Sequence, residues 1–231
     1  RPLCGGVRGD AYAGTFGATP GTPLQQVDLA KLIIVWGNNA TACNLHLMRH
    51  INVAKRNGAK LVVIDPKRVK VAEQAHLHLA VRPGTDVVLA WALAVELEHT
   101  GGLDPAFIEK HVLGFDPFMA RAREYPPEVA AEICGIPVED IRTLARWYRE
   151  SAPAVIAWGN GLERNQNGGS GLRAIAALPA LAGKFGVAGG GLVGGAGNAF
   201  PKTLDLLARP DLAPKGTRTI NIIDVAKAIL D

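Results

Sequence analysis

Cysteine is scarce in this chain, and aromatics are few: 231 residues hold 3 Cys, and Phe, Trp and Tyr together make up 6%. Cys4, Cys43 and Cys134 are odd in number, widely spaced and without a CxxC pair, which excludes a disulfide framework and leaves no zinc or iron–sulfur ligand pattern. No apolar run approaches the ~20 residues that cross a bilayer, so no membrane span is expected in this segment. The GxGxxG fingerprint is missing, which argues against an ordinary NAD site. No Ser/His/Asp arrangement or carboxylate pair stands out, so hydrolytic chemistry has no support. His46 and His50 are four apart on an expected helix, but the spacing lacks a third ligand and reads as structural or surface. His76 and His78 read as strand-edge residues. Basic residues are not bunched and do not alternate with aromatics. With a net charge of +4, the chain therefore offers no nucleic-acid surface, yet suits a small anionic ligand.

The chain opens at Arg1 without Met or a signal-like apolar stretch and stops at Asp231. Both ends read as edges of a segment from a longer polypeptide, whose other domains are its expected partners. Location stays open between a prokaryotic cytoplasm and periplasm.

Glycine and apolar residues are what the chain has in quantity: 27 Gly, and 48% hydrophobic residues. The apolar runs alternate with segments of helical period. Leu32–Trp36, Leu61–Asp65, Leu77–Val81 and Ala154–Trp158 read as strands that are continuously apolar, as strands covered on both faces are. Helices are expected over Asn44–Asn57, closed by Gly58, and over Asp86–Glu98 with Thr85 as N-cap. Further helices are expected at 106–111, 127–134, 138–150 and roughly 171–182. Strand–helix alternation of this kind predicts an α/β fold, Rossmann-like, with a mainly parallel sheet and helices on both faces. Residues 1–185 are expected to form that domain, and the Gly/Pro-rich stretch 186–231 to belong to an incomplete neighbour.

The strands end in small or polar residues: Gly37-Asn38-Asn39, Asp65-Pro66-Lys67-Arg68, Arg82-Pro83-Gly84-Thr85-Asp86 and Gly159-Asn160-Gly161. In an open parallel sheet the carboxyl ends of the strands form the ligand crevice. Glycine there lets backbone approach a pyrophosphate, and the following helix offers free N–H groups with partial positive charge. Asp65 stands where dinucleotide folds place an acid for ribose hydroxyls, although it follows Gly37 by 28 positions rather than ~20. Each residue also has a plainer reading. Gly37 and Gly159 serve as turn residues, Asp86 as a favourable first-turn charge, and Arg68 as a solvated surface group.

Taken in order and spacing, Trp36-Gly37-Asn38-Asn39, Lys60 through Arg68 and Arg82 through Asp86 resemble the molybdopterin oxidoreductases of the dimethyl-sulfoxide-reductase type. The family pattern is WGxNP, then (V/I)DPR, then a PGTD turn. Gly161-Leu162-Glu163-Arg164 to Gly169, Arg173-Ala174-Ile175 to Gly183, and Gly189-Gly190-Gly191 are also similar, so the likeness covers nearly the whole chain. Ala40 stands where the family has Pro, and Lys67 where it has Arg.

This resemblance implies a molybdenum cofactor, bis(molybdopterin guanine dinucleotide), with this segment holding one dinucleotide. Gly37, Asn39, Gly159 and Gly161 would line it, and Asp65, Pro66 and Arg68 would lie near ribose and phosphate. Pro83, Gly84, Thr85 and Asp86 would approach the guanine, whose N1 and N2 donors suit a carboxylate. Cys4 would be the catalytic metal ligand, since a thiolate is a soft donor suited to a metal already bound by dithiolene sulfurs; a lone cysteine also serves as a small buried hydrophobe. His follows the ligand in formate dehydrogenases of the family, but Gly5 stands there in this chain. Two-electron redox chemistry on a small oxyanion or sulfur compound is therefore expected rather than formate oxidation. A [4Fe–4S] cluster would belong to an N-terminal region outside this sequence, and electron-transfer subunits are possible partners. Two alternatives stay open: a molybdenum-free structural relative, such as the large subunit of NADH–quinone oxidoreductase, and a generic nucleotide-binding module. The segment alone is expected to be inactive.

Overall fold

A computed structural model describes residues 5–18, 21–194 and 204–230. After α1 (Gly6–Phe16) and a 3-10 turn at Leu24–Leu29, the chain alternates strands and helices: β1 (Leu32–Trp36), α2 (Ala40–Cys43), α3 (Leu45–Arg56), β2 (Lys60–Ile64), α4 (Lys70–Glu73) and β3 (Leu77–Leu79). Five helices come next: α5 (Asp86–His99), α6 (Pro105–His111), α7 (Phe115–Ala122), α8 (Pro127–Cys134) and α9 (Val138–Glu150). The series ends with β4 (Ala154–Trp158), α10 (Gly168–Leu181), β5 (Gly191–Val193), α11 (Leu204–Ala208) and α12 (Val225–Leu230).

The five strands pair in the order β3-β2-β1-β4-β5, every pair parallel. The chain leaves β1 toward β2 and β3 on one side, then returns to place β4 and β5 on the other. The topological switch therefore falls between β1 and β4, where open α/β sheets carry their ligand crevice.

Alternate residues of a strand point to opposite faces, and here both faces are buried. Leu32, Ile34 and Trp36 join the larger core with α5, α8, α9 and α10, whereas Ile33 and Val35 join the smaller core with α3 and α4. Of α5, nine residues are buried, including Val87, Leu89, Leu93 and Leu97. An apolar circumference of this kind suits a helix packed between the sheet and an outer helical layer.

Several expected boundaries move. The helix expected over Asn44–Asn57 is there as α3, with Asn44 and Asn57 as its caps and the Asn44 side chain accepting from Leu47 N at 3.3 Å; the short α2 before it is unexpected. Gly58 has the expected left-handed backbone, φ 87°. The third strand stops at Leu79, and α10 begins three residues early, at Gly168. The Gly-rich run expected to lie outside the domain contributes β5, paired with β4 through Val155, Ile156 and Ala157. So the sheet extends past the 185/186 division. Glycine hid this strand: Gly191 has a positive φ of 91°, and only Leu192 and Val193 give it apolar character.

Candidate functional site

Because all five strands run the same way, their carboxyl ends share one edge. The β2 end with Asp65, the β1 end with Gly37 and the β4 end with Gly159 follow one another along it.

The β1 and β4 tips are in direct contact. Gly159 N donates to Trp36 O at 2.9 Å, and Gly161 N to Gly37 O at 3.1 Å. A Cβ on Gly159 would stand 2.4 Å from Gly37 O, and one on Gly161 2.8 Å from the same atom. Gly37 itself has φ 58°. Close approach of two loops thus accounts for glycine at 159 and 161 without any ligand, whereas the turn reading suits Gly37 with its positive φ. Asn38, buried between them, donates from Nδ2 to Trp158 O at 3.4 Å. Asn39 accepts a bond from the Thr41 hydroxyl through Oδ1 at 2.9 Å, and its backbone carbonyl accepts from Cys43 N.

At the β2 tip, Oδ1 of Asp65 accepts from Lys67 N at 2.9 Å, a local turn that fixes the carboxylate. Pro66 and Arg68 are exposed. His78 contacts the Asp65 carbonyl through Nε2 at 2.9 Å, buttressing this tip from β3.

The turn before α5 is tied to the loop after β4: Asn167 Nδ2 donates to Gly84 O at 2.8 Å. Gly84 has φ 85°, which favours glycine, and Pro83 is exposed. Thr85 is the N-cap residue as expected, but its hydroxyl donates backward to Arg82 O at 2.7 Å rather than capping an α5 amide. Asp86 is half-buried, and its Oδ1 accepts from Trp36 Nε1 at 2.7 Å. Burial pushes the Asp86 carboxyl above the usual carboxylate range; the indole bond and its own backbone N–H work against that, and the Asp65 charge adds to it. The structure therefore brings Trp36, Asp65 and Asp86 into one electrostatic neighbourhood.

Cys4 lies outside the described residues. The next residue, Gly5, opens α1 with φ 77°, and α1 is anchored on the β4 tip. Arg8 N donates to Glu163 Oε2 at 3.2 Å, the Arg8 guanidinium lies 3.6 Å from Oε1, and it donates to Asn160 at 3.1 Å. Glu163 is buried, and its Oε1 has no hydrogen-bond partner. Neither Glu163, Asn167 nor Trp36 is singled out as a site residue by sequence pattern. Trp36 and Glu163 do fall inside the stretches that carry the family resemblance, and Asn167 lies in the polar loop after β4, but no pattern gives any of them a role.

A cavity of 620 Å³ lies elsewhere, among α1, α5, α7 and α10, with Phe16, Trp91, Phe118 and Arg173 in its wall. None of the strand-tip residues lines it. His50 Nδ1 bonds Asp28 Oδ1 at 2.8 Å, and no group of three or more potential metal ligands occurs among the described residues.

The profile of the molybdopterin oxidoreductase family matches residues 9–211. The chain belongs to that family. It is 32% identical over 232 residues to the probable oxidoreductase YoaE of Bacillus subtilis, aligning all of this chain with 34% of that protein. With formate dehydrogenase H of Escherichia coli it shares 30% identity over 192 residues, 83% of this chain and 27% of the relative. The solved structure of acetylene hydratase from Pelobacter acetylenicus superimposes with a TM-score of 0.71 at 29% identity, over 80% of this chain and 25% of that one. The chain thus spans about a third of YoaE and a quarter of the other two. No helix among the described residues is long and apolar enough to cross a membrane.

Proposed function

We propose that this segment grips the guanine dinucleotide end of a bis(molybdopterin guanine dinucleotide) molybdenum cofactor within a longer oxidoreductase. The carrying observation is that the β1, β2 and β4 tips and the turn before α5 meet on one sheet edge at the topological switch. The donor set there fits such a group. Asp86 offers carboxylate lone pairs to adjacent N–H donors, and Asp65 keeps its Oδ2 for ribose hydroxyls while Oδ1 holds the turn. Lys67 and Arg68 are exposed cations within reach of the same tip. Glu163 is buried, and its Oε1 is ion-paired with Arg8 at 3.6 Å without a hydrogen bond.

In this reading Gly37 and Asn39 border the dinucleotide, Pro66 and Arg68 sit near phosphate, and Pro83, Gly84 and Thr85 shape the turn that presents Asp86. Gly159 and Gly161 act indirectly, by letting the two loops close on each other. Cys4 is the proposed thiolate ligand, on a segment whose neighbouring helix is fastened to the rim through Arg8 and Glu163. When bound, the metal and its dithiolenes supply two-electron chemistry; the chain's own share is to bind, orient and shield. The proposed substrate is a small oxyanion or sulfur compound, with a [4Fe–4S] cluster carried by an N-terminal region and electron-transfer subunits beyond it.

One observation favours a second reading. Acetylene hydratase is named for adding water rather than moving electrons, so the same architecture accommodates a non-redox reaction. Native mass spectrometry and metal analysis of the full-length protein test the proposal. Molybdenum with two guanine nucleotides per polypeptide is the expected result, and the lack of both after expression in a cofactor-competent host would overturn it.

A further inference from the structure

The last residue of β1 and the first residue of α5 meet over the proposed base site. Trp36 is fully buried, its indole fixed by the larger core, and its Nε1 donates to Oδ1 of Asp86 at 2.7 Å. A buried indole N–H needs an acceptor, and a half-buried carboxylate gains from a donor that cannot move. We infer that Trp36 is a positioning residue: its N–H locks the plane of the Asp86 carboxylate so that the remaining lone pairs receive the paired N–H donors of a guanine base.

This rests on the proposed guanine-dinucleotide reading and adds to it a residue that touches Asp86 rather than the ligand. The other neighbours of Asp86 do not replace this contact. Asp65 at the β2 tip repels the carboxylate. Cys134 of α8 directs its thiol to Thr85 O, and burial, reinforced by the Asp86 charge, pushes that thiol up. From α10, Gly171 presents backbone only; a Cβ placed on it would come 3.7 Å from the Asp86 Cβ. Among these neighbours Trp36 is the side chain that donates to Asp86.

Because the N–H favours the ionised carboxylate, its loss raises the pH at which Asp86 takes a proton and stops accepting from guanine. The test uses full-length protein loaded with cofactor, incubated between neutral and acid pH, with retained guanine nucleotide measured as GMP released by hydrolysis. Trp36→Phe keeps most of the packing and removes the donor. It should lose nucleotide roughly tenfold faster, the worth of one charge-assisted hydrogen bond, and its acid midpoint should move to higher pH.

Trp158→Phe is the packing control, because Trp158 is the register partner of Trp36 on β4. It should lower stability without moving that midpoint. An unmoved midpoint in Trp36→Phe, or an equal movement in both variants, overturns the inference. Unsubstituted protein lacking guanine nucleotide would instead overturn the reading beneath it. If Trp36→Phe fails to fold, the indole resonance of Trp36 in ¹⁵N-labelled unsubstituted protein decides. A shift that follows the Asp86 titration supports the contact, and a pH-independent resonance overturns it.

Discussion

Trp36 Nε1 and Asp86 Oδ1 lie 2.7 Å apart, joining the end of the central strand to the start of the largely buried helix α5 across 50 positions of sequence. The contact places an acid where burial opposes its charge. Burial prevails over the indole bond, so the folded-state carboxyl titrates above its ordinary value.

That has a consequence for stability. A carboxyl whose folded pKa is raised holds its proton more tightly in the native state, so stability falls as pH rises from its unfolded value through the folded one. Asp86→Asn keeps an oxygen for the indole and removes the charge. The variant should therefore melt at a higher temperature than the parent at neutral pH, with the gain disappearing in acid. Calorimetric melting across pH checks this; a lower melting temperature at every pH contradicts it. The same variant should lose guanine-nucleotide retention, because its amide N–H₂ faces donors with a donor.

Gly159→Ala should cost about 1–3 kcal/mol, since its Cβ would run into backbone rather than a movable side-chain tip. Gly9→Ala is the contrast: it lies within α1, and nothing stands within 4 Å of its Cβ. That substitution should gain about 0.5–1 kcal/mol. Urea unfolding of the two variants measures both.

Glu163→Ala should destabilise the protein by about 2 kcal/mol, as a buried carboxylate that caps an amide of α1 is lost together with its Arg8 pair. Amide exchange in α1, which Glu163 holds through Arg8, should quicken more than in α5. Uniform acceleration across both helices would contradict the assignment of Glu163 as the anchor of α1.

Asn167→Ala removes the bond to the Gly84 carbonyl and should cost about 0.5–1.5 kcal/mol. Its local signature is faster exchange of the amides at 84–86, with β1 unchanged. Protection unaltered in that turn would show that Asn167 does not brace it.

The parallel sheet was legible because Leu32–Trp36 and Ala154–Trp158 are apolar at every position, which only strands covered on both faces require. The strand-end residues were legible for the same reason, since a parallel sheet sends all such ends to one edge. β5 was not, because a strand of three residues starting on a positive-φ glycine has neither length nor alternation. Helix α7 was missed between two expected helices, with its start marked only by the left-handed Gly114. Trp36–Asp86, Arg8–Glu163 and Asn167–Gly84 were out of reach for a different cause. Each joins residues 50 or more positions apart, and local pattern carries no information on which polar side chains meet across a fold. Thr85 shows the limit in miniature: the sequence located the cap position, but only the structure reveals the hydroxyl turned back to Arg82.

Hydrogen exchange of the full-length protein, purified with and without its cofactor and read by mass spectrometry, tests the account most directly. Cofactor loading should slow exchange together in the peptides that contain residues 37–39, 65–68, 83–86 and 159–161. Protection confined to other parts of the chain, with these four unchanged, would contradict it.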